Sequence, residues 1–310
     1  MNARIVVVGS INVDESISVH RYPAPGETTT ATSAIRTLGG KGANQAVAAA
    51  RAGGTVTMVG AVGTDDPFAR HALDVEQVDT SAIATVPDPA TGRAIVVVDE
   101  AGENSIVVIP GANATIPSHL IEDAVRAMEV GDTLVVQNEI PPADSALAAR
   151  LARERGASVI WNAAPAPRHR NDIVADVDIL VVNEQELAQI ASLIDLHVDD
   201  IDGAMTAVAD ALHTDVVCTL GASGVAFRNA NGSGSVPAHR VHAVDTTAAG
   251  DTFVGYLAAN ATLPLDERLR LAVAASAITV TRPGAATSIP TRQDLDEFVA
   301  AADAQTRTNP

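Results

Sequence analysis

Short apolar runs alternate with longer stretches in which apolar and small residues recur at helical spacing. Ile5–Val8 is a β-branched run of the type found in a strand buried on both faces. Thr55–Val62, Thr133–Gln137, Ser158–Trp161, Ile179–Val182 and Val216–Leu220 read as further strands. Between and after them the pattern predicts helices over Ala43–Ala52, Pro117–Glu129, Ala143–Arg155, Glu184–Ile190, Ala204–His213, Gly250–Ala261, Asp266–Thr279 and Arg292–Ala302. Such alternation predicts an α/β fold, a mostly parallel central sheet with helices on both faces. Two stretches interrupt it: the polar, turn-rich residues 11–38, and two strands, Ala94–Val98 and Ser105–Ile109, around a turn at Ala101–Gly102. Segments 11–38 and 92–109 are expected to pair as a small β-sheet lid. No internal repeat or long linker divides the chain, so residues 1–310 read as one domain.

Composition narrows the function. Lys plus Arg is 20 against 38 for Asp plus Glu, a net charge of −18, and there are only four Phe, two Tyr and one Trp. That repels phosphate backbones and leaves too few rings for base stacking, so no nucleic-acid partner is expected. The lone cysteine, Cys218, excludes an intrachain disulfide framework and a multi-cysteine zinc site. No apolar run approaches the roughly 20 residues of a membrane span. The first nine residues lack a signal-peptide core. The expectation is a cytoplasmic protein with no membrane partner.

Lys41 is the only lysine and is followed by Gly42, which excludes a Walker-type Gly-Lys-Ser/Thr loop. No His-Glu-x-x-His, Gly-x-Ser-x-Gly or strand-borne Gly-x-Gly-x-x-Gly is present. Three clusters remain, each at a strand–helix boundary, where open parallel sheets bind ligands. In Asp245-Thr-Thr-Ala-Ala-Gly-Asp251-Thr-Phe253, small residues lead into a helix whose free amides suit an anion, and Asp251 in its first turn suits proton abstraction or a simple helix cap. Gly39-Gly40-Lys41-Gly42-Ala43-Asn44 reads as backbone open to a ligand or as a tight turn. Thr219-Leu-Gly-Ala-Ser-Gly224 suits a nucleotide edge or a hairpin into a strand at Val225–Phe227. Asn12, Asp14, Glu139, Asn183 and Glu186 follow strand ends and are weaker candidates. His239 and His242 read as surface residues of a strand-like stretch.

Gly39–Asn44 with its following helix and Asp245–Phe253 resemble the paired signatures of the ribokinase-type (PfkB) carbohydrate kinase family. Gly9–Asp14, Pro25–Glu27, Ile109–Asn113 and Asn162–Ala166 resemble it too, so the likeness runs from about residue 5 to 300. It implies one ribokinase-like domain with a β-sheet lid over a sugar, pairing of two lids in a homodimer, and ATP-dependent phosphorylation of the primary hydroxyl of a pentose, D-ribose first. The alternatives are a nucleoside, fructose, deoxyribose or keto sugar, or a catalytically silent sugar-binding regulator. By resemblance Asp251 is the base, and Ala249 and Gly250 form the anion hole. Asn12, Asp14, Gly40, Lys41, Asn44, Glu139 and Asp251 itself would hold the sugar. Asn183 and Glu186 would organise Mg²⁺ and the phosphates, and Thr219, Gly221, Ala222, Ser223, Gly224 and Gly250 the ATP. Asp245, Thr247, Thr279, Arg282, Gly284 and Ser288 would ring a monovalent cation, K⁺. The chain departs from the family at Ala163, in a stretch that usually reads Asn-Pro-Ala-Pro, in lacking a glycine over Leu73–Val78, and at Val273, where a histidine can stand near the adenine.

Overall fold

The first strand, β1 (Arg4–Val8), shows why the chain folds around a two-sided sheet. Ile5 and Val7 enter one buried core and Val6 and Val8 another. Because side chains alternate along a strand, an unbroken apolar run must be covered on both faces. In this computed structural model, which describes residues 3–64, 67–101, 103–198 and 200–308, the order continues with β2 (Asn12–Ser18), β3 (Ser33–Gly39), α1 (Lys41–Arg51), β4 (Thr55–Gly63), α2 (Phe68–Val75), β5 (Ile83–Val86), β6 (Gly92–Val98) and β7 (Asn104–Ile109). Next come α3 (Ser118–Arg126), β8 (Thr133–Gln137), α4 (Pro142–Arg155), β9 (Ser158–Asn162), β10 (Ile179–Asn183), α5 (Glu184–Leu193) and α6 (Ile201–Leu212). The chain ends with β11 (Asp215–Thr219), β12 (Val225–Asn229), β13 (Gly232–Val236), α7 (Ala249–Ala259), α8 (Leu265–Thr279) and α9 (Arg292–Thr308).

The large sheet has the order β13-β12-β11-β10-β9-β8-β1-β4-β5. Every pairing from β11 through β5 is parallel, and β12 and β13 are added antiparallel at one edge. One core packs α1, α7 and α8 against the sheet, with Val47, Tyr256 and Leu269 fully buried. The other packs α3 to α6, around Trp161, Met128 and Met205.

The two interrupting segments pair as expected. In the four-stranded sheet β3-β2-β6-β7, β2 runs parallel to β6 in the register Asn12↔Gly92 to Ser18↔Val98. Gly102, in the expected turn, lies outside the described residues. The helix α2 and the strands β5 and β13 were not foreseen. His239 and His242 lie on irregular chain between β13 and α7 rather than on a strand.

Candidate active site

The sheet reverses its order between β1 and β8, because the chain leaves β1 toward β4 and later returns to β8 on the other side. Such a switch point opens a crevice beyond the strand ends. Ser10, just past β1, donates from Oγ to Glu139 Oε2 at 2.6 Å, and Glu139 stands just past β8. Glu139 also accepts the Lys41 amide at 2.9 Å, and Ser10 Oγ accepts the Gly42 amide at 3.2 Å. Two side chains from the crevice thus satisfy the first amides of α1, which Gly40 cannot cap.

The glycines make this junction possible. A Cβ at Gly42 would stand 2.6 Å from the Ser10 nitrogen and 2.7 Å from the Gly9 carbonyl carbon. At Gly39 it would meet Asp14 Oδ2 at 2.0 Å. Gly40 has φ of 86°, a conformation that β-carbon-bearing residues avoid. The closest approach to this loop is made by the β1–β2 connection and by Asp14.

Asp14 and Asn12 project from the lid strand β2. Burial raises the Asp14 carboxyl to about 6, with Glu139 and Asp251 adding to the effect against a hydrogen bond from the Ala94 backbone. Its Oδ1 is buried without a hydrogen-bond partner among the described residues. Asn12 uses its Oδ1 to accept from Asn113 Nδ2 at 2.7 Å, while Asn113 Oδ1 accepts the Ile11 amide at 2.8 Å. The Lys41 ammonium is held above its ordinary range, by Asp251 first, against the opposing effect of burial, with Glu139 and Glu186 adding. Lys41 therefore stands in the field of carboxylates on both sides of the crevice.

Asp251 lies in the first turn of α7 and is 6% exposed. Its Oδ2 accepts from Asn44 Nδ2 and its Oδ1 from Gln45 Nε2, both at 3.0 Å. The Oδ1 of Asn44 is buried and unpartnered among the described residues. Ala248, just before the helix, has φ of 60°, a costly conformation for a residue with a β-carbon and one that recurs at functional sites. The Ala249 amide donates to Thr246 O at 3.3 Å. Those of Gly250 and Asp251 meet no acceptor among the described residues, and a Cβ on Gly250 would have open space around it. The helix end adds its positive dipole to these donors.

A cavity of about 500 Å³ opens against that helix end. Thr219, Gly221, Ala222 and Gly224 line one side and Ala249 and Gly250 the end; Ser223, expected there, is not on its wall. The far wall is mostly apolar, including Phe253, Val273 and Ala277. His239 also lines it, set edge-on to Phe298 of α9 with ring centroids 5.0 Å apart, so its reading as a surface residue is corrected. His242 is exposed. Asn183 and Glu186 form a reciprocal cap on α5: Asn183 Oδ1 accepts the Glu186 amide and Glu186 Oε2 the Asn183 amide, each at 2.8 Å. Burial raises the Glu186 carboxyl, opposed by the Asn183 amide and by Lys41.

The six residues of the implied cation ring meet in part: Asp245 touches Thr247 and Gly284, and the Arg282 amide donates to Thr279 O at 3.0 Å. Asp245 accepts the Thr247 and Gly284 amides at 2.9 Å each. Burial acts to raise its carboxyl, but hydrogen bonds from Thr247 and Gly284 outweigh it and hold the group below its usual range. The side chains of the other three have different partners: Arg282 pairs with both oxygens of Asp294, Thr279 Oγ1 with Thr252 Oγ1, and Ser288 Oγ with Ala285 O. The Thr279 and Ser288 hydroxyls donate in these bonds and keep oxygen lone pairs, whereas Arg282 could offer a cation only its backbone oxygen.

Sequence reasoning missed Ser10, Gln45, Gln137 and Asn162. Gln45 sat in plain view, directly after Asn44, but its facing toward Asp251 follows from a contact between residues 206 positions apart.

This arrangement, a buried carboxylate at an open helix N-terminus between a polar crevice and a cavity of about 500 Å³, has the features that phosphoryl transfer requires. The comparisons agree: residues 2–292 match the model of the pfkB family carbohydrate kinases, and the chain belongs to that family. It is 41% identical to a ribokinase of Haemophilus influenzae, over 96% of this chain and 99% of that one. Among solved structures it is similar to a ribokinase of Thermotoga maritima, with a TM-score of 0.87 and 33% identity over 96% of this chain and 99% of that one. A ribokinase of Arabidopsis thaliana, solved with ribose and ATP, matches with a TM-score of 0.84 and 28% identity over 96% and 99% of the two chains.

Proposed function

We infer that this protein transfers the γ-phosphoryl group of ATP to the primary hydroxyl of D-ribose, giving ribose 5-phosphate and ADP. The observation that carries the reading is the Asp251 carboxylate, fixed by Asn44 and Gln45 beside the unengaged amides of Gly250 and Asp251. The relatives' names supply the sugar. Asp14 and Asn44, each with a buried unpartnered oxygen, would accept sugar hydroxyls, and Asn12, Gly40, Lys41 and Glu139 would complete the pocket. The sugar oxygen attacks the γ-phosphorus, its proton passes to Asp251, and the bond from that phosphorus to the ADP oxygen breaks. The N-terminus of α7 and Lys41 would offset the charge of the equatorial oxygens. We place the reaction in the cytoplasm, where ATP is abundant.

Two ions fit this chain's residues. A magnesium ion on ATP takes one or two protein carboxylates besides phosphates and water. Glu186, whose second oxygen has no partner among the described residues, can supply one, and bound magnesium would neutralise phosphate charge. Asp245, with oxygens of Thr247, Thr279, Arg282, Gly284 and Ser288, would supply an all-oxygen donor set of the kind that suits K⁺. Two copies would pair through the lid, whose strand β7 exposes Ile106, Val107, Val108 and Ile109, together with Ile35 of β3.

The test is ADP production from MgATP with ribose, deoxyribose, fructose and nucleosides, in KCl and in choline chloride. Ribose should give the highest kcat/KM, and KCl should raise it. A higher kcat/KM for another sugar would overturn the ribose assignment, and indifference to the cation would overturn the K⁺ site.

A further inference from the structure

Behind Asp251 lies a chain of buried amides that belongs to neither the sugar crevice nor the nucleotide cavity. Gln45 is fully buried, and its Nε2 donates both hydrogens, to Asp251 Oδ1 and to Asn162 Oδ1, each at 3.0 Å. Its Oε1 accepts from Gln137 Nε2 at 2.8 Å, and Gln137 is also fully buried. Asn162 is fixed in turn by donating to Val181 O at 3.2 Å. These bonds allow Gln45 one orientation. A flip would set its oxygen against two other oxygens and its nitrogen against the Gln137 nitrogen, leaving three buried groups in repulsive contact.

We propose that Gln45 is a positioning residue that sets the rotation of the Asp251 carboxylate, and that Gln137 acts through Gln45 by selecting its amide orientation. The proposal rests on Asp251 being the base. Asn44 grips Oδ2 alone, and a carboxylate held at one oxygen can still swing about its Cβ–Cγ bond. The second bond, from Gln45 to Oδ1, removes that freedom. Neutral amide donors fix the group without the tight pairing a guanidinium would impose, so the carboxylate keeps lone pairs for the hydroxyl proton. Near-attack geometry depends on such restraint. Because Gln45 is sealed from solvent, the proposal separates its effect on turnover from any effect on sugar binding.

The test compares Gln45→Met, Gln137→Met and the double variant, with kcat from ADP release, ribose affinity from calorimetry and folding from thermal melting. Gln45→Met should lower kcat about ten- to a hundredfold, the range for one hydrogen bond to a charged group. Ribose Kd should stay within about threefold, the binding half of the split kept small because Gln45 does not reach the crevice. Gln137→Met should lower kcat less, again with Kd unchanged. The double variant should be no slower than Gln45→Met, since Gln137 has no other route to the carboxylate. A Gln45→Met kcat within twofold of the parent, a loss confined to ribose Kd, or additive losses in the double variant would each overturn the proposal. If Gln45→Met does not fold, the kcat and Kd of Gln137→Met decide it: the split supports the proposal, and an unchanged kcat overturns it. Asp251→Asn, assayed beside these, isolates the underlying assignment. Full turnover there removes the base, whereas a silent Gln45→Met beside a dead Asp251→Asn removes only the positioning role.

Discussion

Asp14 makes the clearest demand at the scale of single residues. A carboxyl raised to about 6 is harder to ionise in the folded protein than in the unfolded chain. The folded state therefore holds the extra proton between about pH 4 and pH 6, and stability falls as pH rises through that window. Asp14→Asn removes the buried charge and should raise the melting temperature at pH 8 by about 2–4 °C, with the difference vanishing near pH 4. The same variant should weaken ribose binding, because the ionised carboxylate accepts hydroxyl hydrogens that an amide accepts less well. In the parent protein, ribose affinity should fall about tenfold between pH 7 and pH 5 as Asp14 protonates. Calorimetry across that range checks it; a flat profile contradicts the role of Asp14.

Elements place these residues, and here the sequence was unevenly legible. The buried parallel strands declared themselves as β-branched runs: Thr133–Gln137 was read to the residue, and β1 to within one. The helix α2 buries only Ala69 and Leu73, too few positions to establish a helical stripe. The strand β13 reads Gly-Ser-Gly-Ser-Val and exists because β12 pairs with it, not because of its own pattern. The Asp251 carboxylate, the proposed base, was visible as an acid in the first turn of a helix, but its two donors come from α1, which no local signal places beside α7. The cation ring came from resemblance alone, and in the structure its members meet as two separate groups, Asp245 with Thr247 and Gly284, and Thr279 with Arg282. Gly42→Ala tests the close junction of α1 with the crevice: its Cβ would press on backbone at Ser10 and Gly9, which cannot yield as a flexible side chain can. It should lower the melting temperature by about 5 °C or more, or prevent folding. At the other end of the site, Asp245→Ala cuts the tie to Gly284. The parent should melt higher in KCl than in choline chloride, and the variant should lose that difference.

At the scale of the whole molecule, the proposed dimer rests on the exposed face of the small sheet. Four consecutive apolar residues of β7 are exposed in the single chain, an arrangement that invites pairing. Analytical ultracentrifugation should find a species of twice 31.7 kDa. Val107→Glu should shift it toward monomer and raise the ribose KM, since an unsupported lid covers the sugar less often. A monomeric parent protein would remove the dimer from the account. With a net charge of −18, the proposed ATP site would draw on local positive potential at α7 and Lys41, so raised salt should alter nucleotide KM only modestly.

Everything turns on Asp251, and one paired measurement addresses it: ADP release and ribose affinity of Asp251→Asn beside the parent protein. Asparagine keeps the shape and loses the base, so turnover should fall by about a thousandfold or more while ribose Kd stays within about tenfold. Near-normal turnover in that variant would contradict the proton-transfer role on which the kinase reading is built.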